Sequence, residues 1–330
     1  MMEAALLAAR RGSRYVPFAA FPRREFPMQI PRCSRPALLL AILLRAHSAF
    51  AGLAPPNPAN MENAPAPFTA PTNPVRNEVV GFFENLAVQG SYPFRVAWRD
   101  PARALVGAGM IAGLVALDPA MHDATHSARG SELEAWGQSM SKYGNGKYVL
   151  PLVAGFGVIG ALGSRHEGDT ALLLAESAVS AGLWTGAVKE LTGRERPREA
   201  SEHSADWTGP GAVFADDPVG DHTLQSFPSG HSSGTWAVAT VLAHQYPQHH
   251  IVPLIAYGGA AAMSYARMVV DAHWLSDVVV GGLIGYGCAH QTIGARARWQ
   301  AARDPAGSHS LDVSLDLHDG YRGIGLSYRF

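Results

Sequence analysis

Six apolar segments, each carrying small residues, recur between Ala102 and Cys288, and they constrain the fold more than any other feature. They run Ala102–Leu117, Tyr148–Leu162, Thr170–Val188, Ser232–His244, Ile251–Val270 and Val278–Cys288. Their pattern is helical, and the glycines, alanines and serines inside them allow helices to pack closely. A helix that crosses a bilayer needs about 20 apolar residues, whereas runs of 10–14 more often mark buried core helices. Only the third and fifth segments approach spanning length, and they contain Glu176 and Arg267. Charged residues make up 16% of the chain, against roughly 25% in ordinary soluble domains. Length favours a compact helical bundle and low charge favours a six-helix membrane protein; both readings stay open.

The ends of the chain differ from this middle. Residues 1–27 are basic and irregular, with Arg10, Arg11, Arg14, Arg23 and Arg24. From Met28 there follow Arg32 and Arg35, an apolar stretch from Ala37 to Leu44, and Ala49-Phe50-Ala51. A basic start, a short apolar middle and a small-x-small site describe a secretory signal peptide, here interrupted by Arg45. The expected organisation is an N-terminal extension and signal peptide over 1–51, with translation starting at Met28. A Pro-rich linker over 52–74 follows, then the main helical domain over 75–300. Such a chain is exported to a bacterial-type cell envelope, either membrane or periplasm. Over 308–330, Leu311, Val313, Leu315 and Leu317 alternate with polar residues, as do Ile324, Leu326, Tyr328 and Phe330 after a Gly-containing turn. That period predicts a short β-hairpin docked on the main body. The expected fold class is therefore all-α, a bundle of about six core helices with a C-terminal β-hairpin.

A net charge of −1 gives no support to nucleic-acid binding, which usually shows a basic domain or stripe. Of the two cysteines, Cys33 falls in the removable segment and Cys288 in an apolar run, where a small core role is expected. No disulfide framework or zinc pattern is present.

Three polar clusters interrupt the apolar sequence. The first is Lys189-Glu-Leu-Thr-Gly-Arg-Glu-Arg196-Pro197. On a helix Lys189 and Arg196 share a face two turns apart, and Pro197 ends the helix at Arg196. The second, Ser226-Phe-Pro-Ser229-Gly230-His231-Ser-Ser-Gly234, feeds an apolar helical run. Unpaired backbone N–H groups at such a helix start make an anion site, and His231 is placed to reach it. The third is Arg267-Met-Val-Val-Asp-Ala-His273-Trp-Leu-Ser-Asp277. His273 and Asp277, four apart, lie on one helical face within hydrogen-bond reach, so the carboxylate fixes the imidazole tautomer and frees the other nitrogen to attack. Taken singly, each cluster also reads as ordinary structure: a solvated basic helix end, a plain N-cap, a satisfied core histidine.

Together the clusters resemble the three-part signature of the phosphatidic acid phosphatase type 2 (PAP2) / vanadium haloperoxidase superfamily, Lys-x6-Arg-Pro, Pro-Ser-Gly-His and Arg-x5-His-x3-Asp. Order and spacing agree, and the resemblance covers about Ala102 to Ala289. Ala266 departs from the serine that many lipid-phosphatase members carry there. The resemblance implies that Lys189, Arg196 and Arg267 bind phosphate oxygens, and that Ser229 and the Gly230 amide add hydrogen bonds. It further implies that His273, held by Asp277, attacks phosphorus to give a phosphohistidine while His231 acts as general acid. No cofactor and no metal is implied, and no carboxylate cluster in the sequence would hold one. The partner is then a phosphorylated lipid or small phosphate ester, with membrane association expected. Phosphoryl transfer asks for positioning and charge neutralisation, which three cations supply. The alternatives are a vanadium-dependent haloperoxidase, whose chains are usually much longer, or a non-catalytic envelope protein with a decayed site.

Between the first two clusters, residues 198–225 show no apolar period and carry Glu199, Glu202, Asp206, Asp216, Asp217 and Asp221. A loop this long in a compact domain is usually a lid or an insert. It is expected beside the pocket mouth, with Trp207 and Phe214 offering apolar contact. His122, His126, His222, His249 and His250 lack spaced partners and are expected at the surface, and Asp271 faces away from His273.

Overall fold

The computed structural model describes residues 74–200, 206–210, 224–303, 310–318 and 321–329. The expected signal peptide, the start at Met28, nearly all of the Pro-rich linker, and Phe214, Asp216, Asp217 and Asp221 lie outside them. Between residues 74 and 303 the described chain is all-α. Eight helices follow one another: α1 (Pro74–Arg99), α2 (Pro101–Ala128), α3 (Ser131–Tyr143), α4 (Gly146–Ala161), α5 (Arg165–Thr192), α6 (Gly230–Gln245), α7 (Ile251–Val269) and α8 (Leu275–Arg303). Each of the six apolar segments maps onto one helix, α2 and α4 to α8. The two helices beyond those six, α1 and α3, carry mixed sequence; α3 has Glu132, Glu134 and Lys142 among its 13 residues, which hides it from an apolar count.

Among the described residues, two helices are long and apolar enough to cross a membrane. Windows within Pro101–Ser127 and Arg165–Thr192 reach mean hydropathies of 1.7 and 1.4. The first segment thus joins the third at spanning length, in place of the fifth, because α2 runs on past its apolar stretch to 28 residues. Only 6% of the α2 window is buried, against 39% for α5. Leu105, Val106, Ile111 and Leu117 of α2 stand exposed.

The site is positioned by α6, which packs against α5, α7 and α8. Its crossing with α8 is close because glycines face it. A Cβ added at Gly281 would lie 2.4 Å from the Ser229 carbonyl oxygen, and one at Gly285 2.0 Å from that of Ser233. Hydroxyls then stitch the interfaces. Ser232 Oγ donates to the Val278 carbonyl at 2.6 Å and sits 2.8 Å from Ser264 Oγ on α7, while Thr185 Oγ1 of α5 donates to Ser233 Oγ at 2.9 Å. Below this polar layer Leu173, Leu174, Val241, Ala289 and Ile293 form an apolar core. Cys288 is buried beside Ala181 and Ala237, the small core role its sequence context suggests. Helix α1 is tied on by Asn85 Nδ2, which donates to Thr292 Oγ1 at 3.1 Å, and by Glu78, which pairs with Arg296.

Candidate active site

Helix α5 stops earlier than its sequence suggests. Gly193 adopts a left-handed conformation at φ 53° and its N–H caps the Lys189 carbonyl. This geometry suits glycine because it lacks a Cβ. Lys189 therefore lies in the last turn of α5, and Arg196 in the connection beyond it. The expected shared helical face does not exist. Both cations still reach one place: Lys189 Nζ donates to the carbonyls of Gln225 and Ser226, and Arg196 Nη1 donates to the Ala272 carbonyl at 3.1 Å.

The second cluster opens α6. Ser229 is its N-cap, with the hydroxyl accepting from Ser232 N at 3.4 Å, and the Ser229 N–H donates to the Asp277 carbonyl at 2.9 Å. Gly230 is the first helical residue, and a Cβ there would meet only Thr185 Cγ2, at 4.0 Å. His231 follows on the face towards α3 and α7. A Cβ at Gly144 would lie 2.6 Å from His231 Cδ2 and 2.7 Å from Met263 Sδ, so the imidazole and the Met263 thioether both pack against this glycine.

The third cluster is not one helical face. Helix α7 ends at Val269, a tight turn carries residues 270–274, and α8 begins at Leu275. His273 sits in that turn, its N–H and that of Ala272 both donating to the Arg267 carbonyl. Asp277 lies in the first turn of α8. The two side chains meet across a helix start, with His273 Nδ1 3.6 Å from Asp277 Oδ2. That is close approach without a hydrogen bond. His273 is 3% exposed and Asp277 fully buried.

Charges from all three clusters act on the two histidines. Burial, then the charges of Lys189, Arg196 and Arg267, hold the His273 imidazole well below its usual range. Burial first, then Arg267 and Arg196, push His231 down to about 4, with a weak opposing pull from the Ser141 backbone. Arg267 is itself lowered to about 10 by burial and by the neighbouring Arg196 and Arg198 charges, and its Nε is buried without a hydrogen bond. Three cations thus crowd around two buried imidazoles that burial and positive charge keep from protonating.

The carboxylate of Asp277 is held by residues that the sequence reading did not single out. Arg194 Nη1 donates to Asp277 Oδ1 at 2.6 Å and Nη2 to Asp118 Oδ2 at 2.6 Å. Ser226 Oγ and the Trp274 N–H donate to Asp277 Oδ2 at 2.5 and 2.8 Å. Ser276 holds Asp118 twice, its N–H donating to Asp118 Oδ1 and its hydroxyl to Asp118 Oδ2, and its Oγ accepts from Arg194 Nη1. The rings of Trp207 and Trp274 lie 4.6 and 5.3 Å from the Arg194 guanidinium. Trp207, expected beside the pocket mouth, thus covers this arginine. His122, expected at the surface, is half-buried: its Nε2 lies 3.3 Å from Asp271 Oδ1, with Arg129 Nη2 2.6 Å from Oδ2. His126, His249 and His250 are exposed; His222 lies outside the described residues. An apolar cavity of about 210 Å³ lies beside His231, lined by Gly144 and Tyr148, by Thr235 and Val238 of α6, and by Gly259 and Ala260 of α7.

The chain is similar to known proteins over the stretch that holds these residues. The PAP2 superfamily model matches residues 170–300. Lipid A 1-phosphatases of Rhizobium etli and Rhizobium johnstonii are each 30% identical over 110 residues, 33% of this chain and 43% and 41% of theirs. The chain thus spans less than half the length of these curated relatives. Among solved structures, Aquifex aeolicus LpxE is similar at 21% identity and a TM-score of 0.42, over 54% of this chain and 94% of that one. The first transmembrane PAP2-type phosphatidylglycerolphosphate phosphatase from Bacillus subtilis is similar at 20% identity and a TM-score of 0.43, over 67% and 97%. All three clusters, from Lys189 to Asp277, fall inside residues 170–300, the span that the PAP2 superfamily model matches.

Proposed function

We propose that this chain is a metal-independent phosphohydrolase that cleaves lipid phosphate monoesters or diphosphates through a phosphohistidine. The observation that carries this reading is the convergence of Lys189, Arg196 and Arg267 on two neutral, buried histidines. In the reaction the three cations and the N–H groups at the start of α6 hold the phosphate oxygens. The free nitrogen of His273 attacks phosphorus, an N–P bond forms and the P–O bond to the leaving group breaks. His231 gives its proton to the departing alkoxide. Water then attacks the phosphohistidine, its proton passes to His231, and the P–N bond breaks. His231 is neutral in the free protein, so its acid form arises when the phosphate dianion offsets Arg267 and Arg196.

The lipid assignment is supported by the cavity beside His231. An acid must stand next to the oxygen it protonates, so the leaving group lies on the His231 side of the phosphate. There the row His231, Thr235, Val238 of α6 leads directly into an apolar cavity. The lipid A 1-phosphatase relatives and the outward apolar surface of α2 support membrane association in a bacterial-type envelope, with export by the signal peptide read above. The C-terminal hairpin over 308–330 belongs to the same proposal. It is supported by its alternating residues and by an antiparallel register that sets Val313 opposite Leu326.

The test is phosphate release from lipid phosphates, undecaprenyl diphosphate, lipid A and soluble monoesters, with bromide oxidation assayed in parallel. Phosphate release that vanadate inhibits and EDTA leaves intact is expected. Bromide oxidation without phosphate release would favour the haloperoxidase reading, and inactivity in both the decayed-site one.

A further inference from the structure

Helix α2 presents apolar residues outward along most of its length, yet one acid in it is 2% exposed and turned fully inward. That acid, Asp118, has no water to solvate it, and an ionisable group in such a helix marks a functional role by default. Its partner, Arg194, is equally buried and faces two carboxylates at once. An arginine satisfying Asp277 alone would offer it both terminal nitrogens in a bidentate pair. Here the fork is split, one nitrogen to each acid, and Ser276 ties Asp118 back to the first turn of α8. A split fork fixes the rotation of the guanidinium and dedicates one oxygen of Asp277, Oδ1, to it. The other, Oδ2, is left on the His273 side.

We propose that Arg194 and Asp118 are positioning residues that hold the Asp277 carboxylate against His273 and so set the tautomer of the attacking imidazole. This rests on the phosphohydrolase reading, in which His273 is the nucleophile. Asp118 acts through Arg194 and touches no substrate. It also couples helix α2 to the site, so the docking of that helix and the orientation of the nucleophile are one event. Lysine cannot replace Arg194, because a single ammonium lacks the planar fork that spans both acids.

Two measurements on the full-length protein test this. In kinetics, Arg194→Lys and Asp118→Asn should lower kcat at least about tenfold with KM held within about threefold, the pattern of lost transition-state alignment. In the Asp277→Asn background a further Asp118→Asn change should lower kcat less than about twofold, because the group through which Asp118 acts is already neutral. Independent, multiplicative losses would overturn the proposal, as would equal scaling of kcat with the folded fraction counted by sulfate binding. The second measurement needs no turnover: with sulfate bound, the 15N shifts of the His273 ring should report the Nδ1–H tautomer in the parent and a mixture in Arg194→Lys. Unchanged shifts contradict the positioning role. A parent that shows the tautomer change but releases no phosphate would sink the phosphohydrolase reading and leave the positioning role standing.

Discussion

His273 Nδ1 stops 3.6 Å from Asp277 Oδ2, while that same oxygen already accepts from Ser226 and from the Trp274 N–H. The pair is aligned but not joined. Hydrogen bonds between catalytic groups often tighten only once substrate is bound, and anion binding beside His273 is the event that would draw the ring towards its carboxylate. Asp277→Asn should therefore lower kcat by about 10²-fold or more with a small change in KM. Rates measured on any substrate the parent hydrolyses check this; a loss confined to KM would assign Asp277 to binding instead.

His231 provides a pH test. Its pKa is lowered from 6.5 to about 4, so the folded protein binds fewer protons than the unfolded chain between those values. The sign follows: stability is retained above pH 6.5 and falls as pH drops towards 4. A dianion in the site should raise the pKa again. Sulfate, which does not titrate in this range, should bind at pH 5 to 6 with uptake of about one proton, measured by calorimetry in buffers of different ionisation enthalpy. His231→Gln should abolish most of that uptake. Sulfate binding without proton uptake would mean that His231 does not face the anion.

The crossing of α6 and α8 gives a stability prediction that is independent of chemistry. Gly285→Ala places a methyl 2.0 Å from the Ser233 carbonyl oxygen, and should destabilise by about 1–3 kcal/mol as backbones are forced apart. Gly287→Ala in the same helix meets nothing within 4 Å, and should be neutral or mildly stabilising. Thermal unfolding of the two variants compares them directly, and equal Tm values would mean the helices do not cross this closely.

The cavity beside His231 predicts chain-length selectivity. A Cβ at Gly259 meets nothing within 4 Å, so Gly259→Leu fills part of the cavity without a backbone clash. The ratio of kcat/KM for a long-chain to a short-chain alkyl phosphate should fall about tenfold, the scale of one or two methylenes lost from an apolar pocket. Assaying parent and variant in the same detergent cancels micellar partitioning. An unchanged ratio would place the apolar leaving group elsewhere.

The site was legible in the sequence where the reacting groups stand close together along the chain. Lys189 and Arg196, Ser229 to His231, and Arg267 to Asp277 each occupy one short stretch, and the folded chain brings the three stretches together. What was not legible depends on backbone conformation or on long separation. Spacing alone could not show that Gly193 turns left-handed and ends α5 at Thr192, four residues before Arg196, so Arg194 was not singled out. Nor could it show that α8 begins at Leu275, leaving His273 in a turn. Asp118 is one acid in an apolar helix far from the clusters, and only the tertiary contact with Arg194 and Ser276 reveals its place. The eight-helix count exceeded expectation because α1 and α3 bury too little apolar surface to stand out by hydrophobicity.

The claim on which the account rests is that His273 carries the phosphoryl group. Rapid acid-free quenching of the protein with 32P-labelled substrate measures it directly. The parent should retain protein-bound label that is stable in alkali and lost in acid, as a phosphoramidate is. His273→Ala should retain none and release no phosphate, while His231→Ala should accumulate label because hydrolysis of the intermediate is slowed. Undiminished phosphate release by His273→Ala, or label on that variant, would contradict the account.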